Sequence, residues 1–387
     1  MDARRQLAID LMARFAARTS LGDLPEAAGE PVRAPRRYLW TDAFAVCNFL
    51  ALDRATGERR YLEQALALVA QVHRTLGRHR PDDARRGWLS GLPDAEGEAH
   101  PTRAGLRIGK PLPERGPGEP IDDELEWDRD GQYFHYLTRW MHALDRAAAA
   151  ASQPLLAAWA RELAVAAHRG FTYASRAGER RMFWKMSVDL SRPLVASMGQ
   201  HDPLDGFVAC RELEASAREL GAAPDPALGA ARAELAEMID PDRLATADPL
   251  GLGGLLTDAS RLDRVAADAA DAALVDAMLD AARAGLAHYA DQPERRGPAR
   301  RRLAFRELGL AIGLGTIEPM RRRAPRSPDA ARRRDLLDRL ARFAPLGGEL
   351  EVFWRDPAHR EAPSWRAHED INDVMLATSL LADAAVE

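Results

Sequence analysis

Apolar residues recur at helical spacing along nearly the whole chain, and no convincing strand run is present. The pattern predicts twelve helices, at about 3–17, 39–53, 59–76, 130–150, 154–172, 202–220, 225–239, 249–264, 270–290, 301–317, 328–344 and 367–386. They are of two kinds. The helix at 59–76 is amphipathic, with Leu62, Ala65, Leu66, Val69 and Val72 on one stripe and charges elsewhere. The helices at 154–172, 225–239, 270–290 and 328–344 are similar. The others, apart from the first, are more apolar or richer in small residues, as in FAVCNFLAL, LGLGGLL and LGLAIGLGT. Glycine inside a helix costs about 0.5–1 kcal/mol relative to alanine, a cost tolerated where neighbouring helices pack closely. The apolar set is therefore expected to be inner and the amphipathic set outer.

The connections are lopsided. Inner-to-outer links are mostly short, such as ATGER at 55–59 and SQP at 152–154. Long links of about 21, 53, 29 and 22 residues precede the inner helices at 39, 130, 202 and 367, beyond the 12–15 residues usual inside a compact domain. Six inner helices, five following outer helices and an N-terminal helix make six hairpins. Closing them in a ring buries every inner helix and gathers the long loops at one end. The expected fold is all-α, an (α/α)6 toroid forming one domain over residues 1–387. An open solenoid of helical repeats would require more regular loops.

Composition narrows the function. The chain has 387 residues, 46% hydrophobic and 29% charged, with a net charge of −5, which disfavours nucleic acid or an anionic membrane as partner. No apolar run is long enough to span a bilayer, and the N-terminus lacks a signal-peptide core. Cys47 and Cys210 lie on predicted helices, so a disulfide framework is excluded and a cytoplasmic location is expected. Neither cysteine has metal-ligand spacing, and no cofactor or metal is expected. Only Lys110 and Lys185 of the 54 basic residues are lysine. In so Arg-rich a chain, residues that resist replacement are candidates for a geometric role.

The most unusual stretch is EWDRDGQYFHYLTRWMHAL, residues 126–144. Asp130 is expected to cap the helix, and Gln132, His135, Arg139 and His142 to form one polar stripe on an otherwise apolar, aromatic surface. Such a helix suits burial by other helices with its polar line facing a cavity. Glu126, Asp128 and Asp130 would then lie at the mouth. Acids also concentrate before two other inner helices, in GQHDPLDG (His201, Asp202, Asp205) and HEDIND (His368, Glu369, Asp370). Helix N-termini favour acids on structural grounds alone, so capping competes with chemistry at each of them. By contrast, Asp248 before Pro249 reads as a plain cap. The loop 183–206 carries Phe183, Trp184, Met186, Leu190 and Met198 between polar residues, a composition that suggests a task. Trp40 opens an inner helix, while Trp88, Trp127, Trp184, Trp354 and Trp365 fall in the long loops. Aromatic faces at one end would stack on a sugar while Asp, Arg and His bind its hydroxyls. The alternative is that these rings pack the loops down.

Trp40-Thr41-Asp42-Ala43-Phe44, followed by a helix and then by Thr56-Gly57-Glu58-Arg59-Arg60-Tyr61, resembles the six-hairpin glycosidase superfamily, including unsaturated uronyl hydrolases and N-acylglucosamine 2-epimerase-like proteins. The resemblance implies an (α/α)6 toroid, a sugar substrate, and a role for Asp42 in binding or protonating it. The R-G-N-G-W segment of the hydrolases and the paired-His segments of the epimerases are absent.

Glycoside hydrolysis needs two carboxyl groups, one protonated and one ionised. The first reading is an inverting glycoside hydrolase on a small, neutral or acidic oligosaccharide. Asp42 would pair with Glu126, Asp128 or Asp130, with Asp202/Asp205 and Glu369/Asp370 in reserve. Trp40, Trp127 and Trp365 would contact the sugar, and Lys185 and Arg192 would hold an anionic group. The second is a sugar isomerase or epimerase with His135, His201 and His368 as bases. The third is a non-catalytic ligand-binding toroid, whose mouth acids are too far apart or too tightly ion-paired to act together.

Overall fold

The computed structural model describes residues 2–21, 36–324, 331–381 and 384–386. Parts of the expected long loop before residue 39, of the link before 331 and of the chain end after 381 lie outside the described residues. The chain divides into two compact units, Met1–Phe15 with Asp240–Glu387, and Ala16–Ile239.

The Ala16–Ile239 unit is built from helical hairpins. Helices α2 (Leu39–Thr56), α6 (Phe134–Ala151) and α8 (Asp202–Glu219) pack side by side. Their partners α3 (Arg60–Leu76), α7 (Pro154–Phe171) and α9 (Pro226–Glu237) lie against them in a second layer. Helix α2 is buried from Leu39 to Leu52 except for half-buried Phe44, as its all-round apolar sequence requires. On α3 the predicted stripe is buried at Leu62, Ala65, Val69 and Val72. The short helices α4 (Asp94–Ala99) and α5 (Asp123–Glu126) lie in the long link before α6.

In the other unit, α1 (Ala3–Arg18) begins the chain. Its Arg4 pairs with Glu351 at 2.6 Å and its Arg14 with Asp373 at 3.5 Å. Helices α10 (Pro249–Val265), α12 (Ala304–Gly315) and α18 (Glu369–Leu380) pack in succession, with α11 (Ala269–Ala290) against α10. Asp248 caps α10 as expected, accepting from Gly251 N at 2.8 Å. Glycine makes the crossing of α10 and α12 possible: a Cβ on Gly253 would lie 2.0 Å from the carbonyl oxygen of Gly309.

Two expectations are corrected. Helix α12 ends at Gly315 and gives way to α13 (Ile317–Arg323); α14 (Ala331–Ala341) packs on α11 and α13. The helix that packs on α12 and α18 is α15 (Ala344–Arg355), whose sequence APLGGELEVFWR reads as a loop. Its Pro345 sits in the first turn, where proline starts helices, and Leu346, Leu350 and Trp354 form a buried i, i+4, i+8 stripe. Helices α16 (Pro357–Arg360) and α17 (Pro363–Arg366) then replace the expected loop.

Short strands also occur. β1 (Gln132–Tyr133) pairs antiparallel with β4 (Lys185–Met186), which pairs with β5 (Pro193–Val195). β2 (Thr172–Ala174) pairs with β3 (Arg180–Met182). Two- and three-residue strands carry too little alternation to be seen as a pattern.

One buried histidine couples this packing to pH. His73 on α3 accepts a hydrogen bond at Nε2 from Trp140 Nε1 at 3.1 Å, and stands edge-on to Trp140 and Trp159. Burial lowers its pKa from 6.5 to about 3. Below pH 6.5 the unfolded chain takes up a proton that the native imidazole refuses. This contribution is complete above pH 6.5 and declines as pH falls toward 3, by about 1.4 kcal/mol per unit. The His73→Gln variant, which keeps an acceptor for Trp140, is expected to show a shallower loss of stability between pH 6.5 and 4.5 in urea titrations. Equal slopes for the two proteins would refute the assignment.

Candidate functional site

The candidate site lies in the Ala16–Ile239 unit, where the long link before α6 meets β1, β4 and the start of α8. The segment Leu106–Leu112 is threaded through hydrogen bonds that anchor it to three elements. Leu39 N donates to Ile108 O at 3.0 Å, Arg107 N to Leu76 O at 2.9 Å, and Ile108 N to Gly131 O at 2.8 Å. Gln132, fully buried, accepts from Leu106 N at 2.9 Å and donates to Ala104 O and Val188 O at 2.8 Å each.

Asp130 is not the cap of α6. The chain is extended at β1, and Tyr133 occupies the N-cap position without a side-chain bond. Asp130 is completely buried. One carboxylate oxygen bonds the Arg107 guanidinium; the other accepts from Gly109 N at 3.0 Å, Gly131 N at 3.1 Å and Lys110 N at 3.4 Å. Glu126 is also buried. Lys185 Nζ donates to its Oε1 at 2.9 Å and to the carbonyls of Glu126 and Arg129, while Arg115 donates to its Oε2 at 3.1 Å. Burial lowers the Lys185 pKa, and the Glu126 carboxylate acts against that. Lys185 thus neutralises a buried acid. The Arg192 guanidinium bonds the Arg115 carbonyl. Gln132 leaves the predicted helical stripe for β1, and His142 is buried against Glu212 at 3.1 Å.

Asp42 is buried in the first turn of α2, where it accepts from Tyr38 N at 2.9 Å and lies 3.3 Å from Arg37. Trp40 follows the α2 N-terminus, 8% exposed. Asp128 is exposed. Asp205 is buried on α8, whose N-cap is half-buried His201. Trp365, His368, Glu369 and Asp370 belong to the other unit. There Trp365 is buried against Trp354, with ring centres 5.7 Å apart, and so packs a core. Trp354 is buried too, donating to Glu307 at 2.7 Å, and Trp88 is covered by the Arg78 guanidinium. His368 stands edge-on to Phe305.

What the structure does bring together is an aromatic cluster with an imidazole and a carboxylate. Trp127, 54% exposed, stands edge-on to Trp184 at 5.4 Å. Trp184 lies 5.0 Å from Tyr133 and is nearly parallel to the His135 ring at 6.4 Å. Tyr133 stacks on His135 at 5.4 Å, and Tyr136 stands edge-on to it at 4.9 Å. Tyr136 shares a 2.5 Å hydroxyl–hydroxyl hydrogen bond with Tyr38. Burial pushes the Tyr38 hydroxyl up to about 12 and raises that of Tyr133. His135 Nδ1 faces Asp202 Oδ1 at 3.5 Å. Neither that nitrogen nor Asp202 Oδ2 has a hydrogen-bond partner among the described residues, although both atoms are buried. Tyr38, Tyr133 and Tyr136 are not singled out as site residues by the sequence. The signal for the tyrosines was the aromatic density of YLW and QYFHY.

Among the described residues no group of three or more His, Cys, Asp or Glu side chains is placed to hold a metal ion. Burial raises the Cys210 thiol to about 12. No helix among them is long and apolar enough to cross a membrane.

No protein-family model and no curated protein sequence matches the chain. Solved structures do. An α-mannanase of glycoside hydrolase family 76 from Bacteroides thetaiotaomicron superposes with a TM-score of 0.55 at 9% identity, over 100% of this chain and 96% of that one. A family 76 glycoside hydrolase from a bovine strain of the same species gives 0.53 at 10%, over 99% and 78%. An α-1,6-mannanase from Salegentibacter sp. gives 0.52 at 11%, over 97% and 98%. The chain therefore has the (α/α)6 toroid fold that these structures share.

The Lys185 assignment is testable. Lys185→Met removes one partner of a buried pair, which typically costs about 3–5 kcal/mol. The expected result is a large drop in melting temperature in thermal denaturation. A Lys185→Met variant of native melting temperature would refute the role of Lys185 as a buried counter-ion.

Proposed function

We propose that this chain is a carbohydrate-active enzyme that moves a proton on a sugar, as an isomerase or epimerase, with His135 as the base and Asp202 as its orienting carboxylate. The observation that carries this reading is the 3.5 Å approach of His135 Nδ1 to Asp202 at the edge of an aromatic cluster. A carboxylate facing Nδ1 stabilises the protonated form of the ring, which leaves Nε2 to take a proton. The rings of Trp127 and Trp184 suit the apolar face of a pyranose. In the reaction, Nε2 abstracts the proton from the carbon beside the carbonyl of the open-chain sugar. The electron pair forms an enediolate. For isomerisation the proton returns at the neighbouring carbon while a hydroxyl proton passes from O2 to O1; for epimerisation the enediolate turns about its C2–C3 bond and takes the proton back from His135 on its other face.

A second reading, inverting hydrolysis, is favoured by the exposed Asp128 carboxylate beside Trp127 and by the mannanases that share the fold. It has less support from Glu126 and Asp130, whose oxygens are occupied by Lys185, Arg115 and Arg107. The substrate in either case is a small carbohydrate.

Incubation with free aldoses and with mannose disaccharides in heavy water separates the two. The proposal expects solvent deuterium at C1 or C2 of the free sugar, and a fall of roughly 100- to 10,000-fold in turnover for His135→Asn. Release of monosaccharide without deuterium, insensitive to His135→Asn and lost in Asp128→Asn, would overturn it in favour of hydrolysis. Trp127→Ala is expected to weaken sugar binding severalfold in calorimetric titrations while leaving the melting temperature within a degree or two.

A further inference from the structure

Lys110 is the second of the two lysines, and its surroundings are the opposite of those of Lys185. Its main chain is held from several sides. Asp130 accepts from Gly109 N and Lys110 N, and the Arg80 guanidinium donates to the carbonyls of Lys110 and Pro111 at 2.7 and 2.9 Å. Gly109 has φ +91, and a Cβ there would lie 2.1 Å from Arg37 O, so the chain passes through a position that only glycine fills. Pro111 restricts the backbone of Lys110, the residue before it. The side chain of Lys110 therefore leaves a rigid base.

Its ammonium sits 5.3 Å above the ring of Tyr38, the tyrosine whose hydroxyl bonds Tyr136 and so joins the cluster around His135. Among the described residues its Nζ makes no hydrogen bond, and no carboxylate approaches within the 4.0 Å of an ion pair. The acids whose charge acts on it are Asp128 and Asp130. Asp130 is already committed to Arg107 and three backbone N–H groups; Asp128 is exposed to solvent. Lys185 adds a second positive charge in the vicinity. The residue is only half-buried, and burial lowers its pKa. A partly desolvated ammonium on a fixed backbone, over an aromatic face and without an ion-pair partner, gains most from an incoming anion.

We propose that Lys110 binds an anionic group, a carboxylate or a phosphate, carried by the sugar that occupies the Tyr38–Tyr136–His135 cluster. This rests on the carbohydrate reading above and adds the substrate class. Neutral sugars would satisfy the tryptophan faces and leave Lys110 without its counter-charge. Acidic or phosphorylated sugars would satisfy both.

The test is calorimetric titration of the full chain with glucose and mannose, their uronic acids and their 6-phosphates, at low and at physiological salt. Wild type is expected to bind at least one anionic form roughly tenfold or more tightly than the neutral sugar, with the advantage shrinking as salt rises. Lys110→Met is expected to lose that advantage and keep its melting temperature, because Nζ makes no hydrogen bond to the described residues. Lys110→Arg is expected to retain most of it. Comparing uronates with 6-phosphates identifies which anion fits. Equal affinity of wild type for neutral and anionic sugars would sink the assignment and leave the carbohydrate reading standing, as would a preference that survives in Lys110→Met. If no sugar in the panel binds wild type, both fail.

Discussion

A carboxylate with no exposure to water must have its charge met inside the protein, and at the candidate site this demand falls on Asp130. Its oxygens collect the Arg107 guanidinium and the N–H groups of Gly109, Lys110 and Gly131. Arg107 in turn donates to the carbonyls of Thr75 and Arg78, which ties the end of α3 to the same point. The long link before α6 is thereby ordered without regular structure of its own. The same bonds fix the backbone of Lys110 and the two residues of β1. Because β1 ends where α6 begins, they also set where His135 emerges.

The acids of the 126–130 stretch divide by environment. Glu126 and Asp130 are inside, each facing cations, and serve the fold. Asp128 lies between them in sequence and outside in space. A carboxylate clamped by Lys185 and Arg115 has little left to offer a substrate, since every lone pair donated to a sugar would be taken from a buried ion pair. Asp202 is different. It is buried at the start of α8, yet among the described residues one oxygen has no hydrogen-bond partner and the other faces an imidazole. Unsatisfied buried polar atoms cost about 1–3 kcal/mol and are kept where a function uses them.

The tryptophans follow the same division. Trp88, Trp354 and Trp365 give up their faces to arginine, to α15 and to each other. Trp127 and Trp184 remain at the surface beside Tyr133 and His135. A ring in a long loop is thus as often a weight that holds the loop down as a surface for ligand. Only the neighbours it meets decide between the two.

Much of the architecture is written in local order. The 3.6-residue period places most of the long helices to within a few residues, because burial of a stripe depends on spacing along one element. Alternation of apolar and amphipathic helices reveals which of them form the inner layer, and the inserted glycines mark a close crossing at Gly253 and Gly309. The aromatic and acidic density of residues 126–144 marks the neighbourhood of the site for the same reason. Other features depend on partners far away in sequence. APLGGELEVFWR becomes a helix because α12 and α18 bury Leu346, Leu350 and Trp354. Gln132 and Tyr133 become extended because Met186 and Lys185 pair with them. Whether an acid caps a helix, neutralises a lysine or faces a histidine is an electrostatic question about side chains from separate loops. Sequence alone could name Glu126, Asp130, Lys185 and His135 together; only the fold could bind the first three into ion pairs and bring the fourth to Asp202.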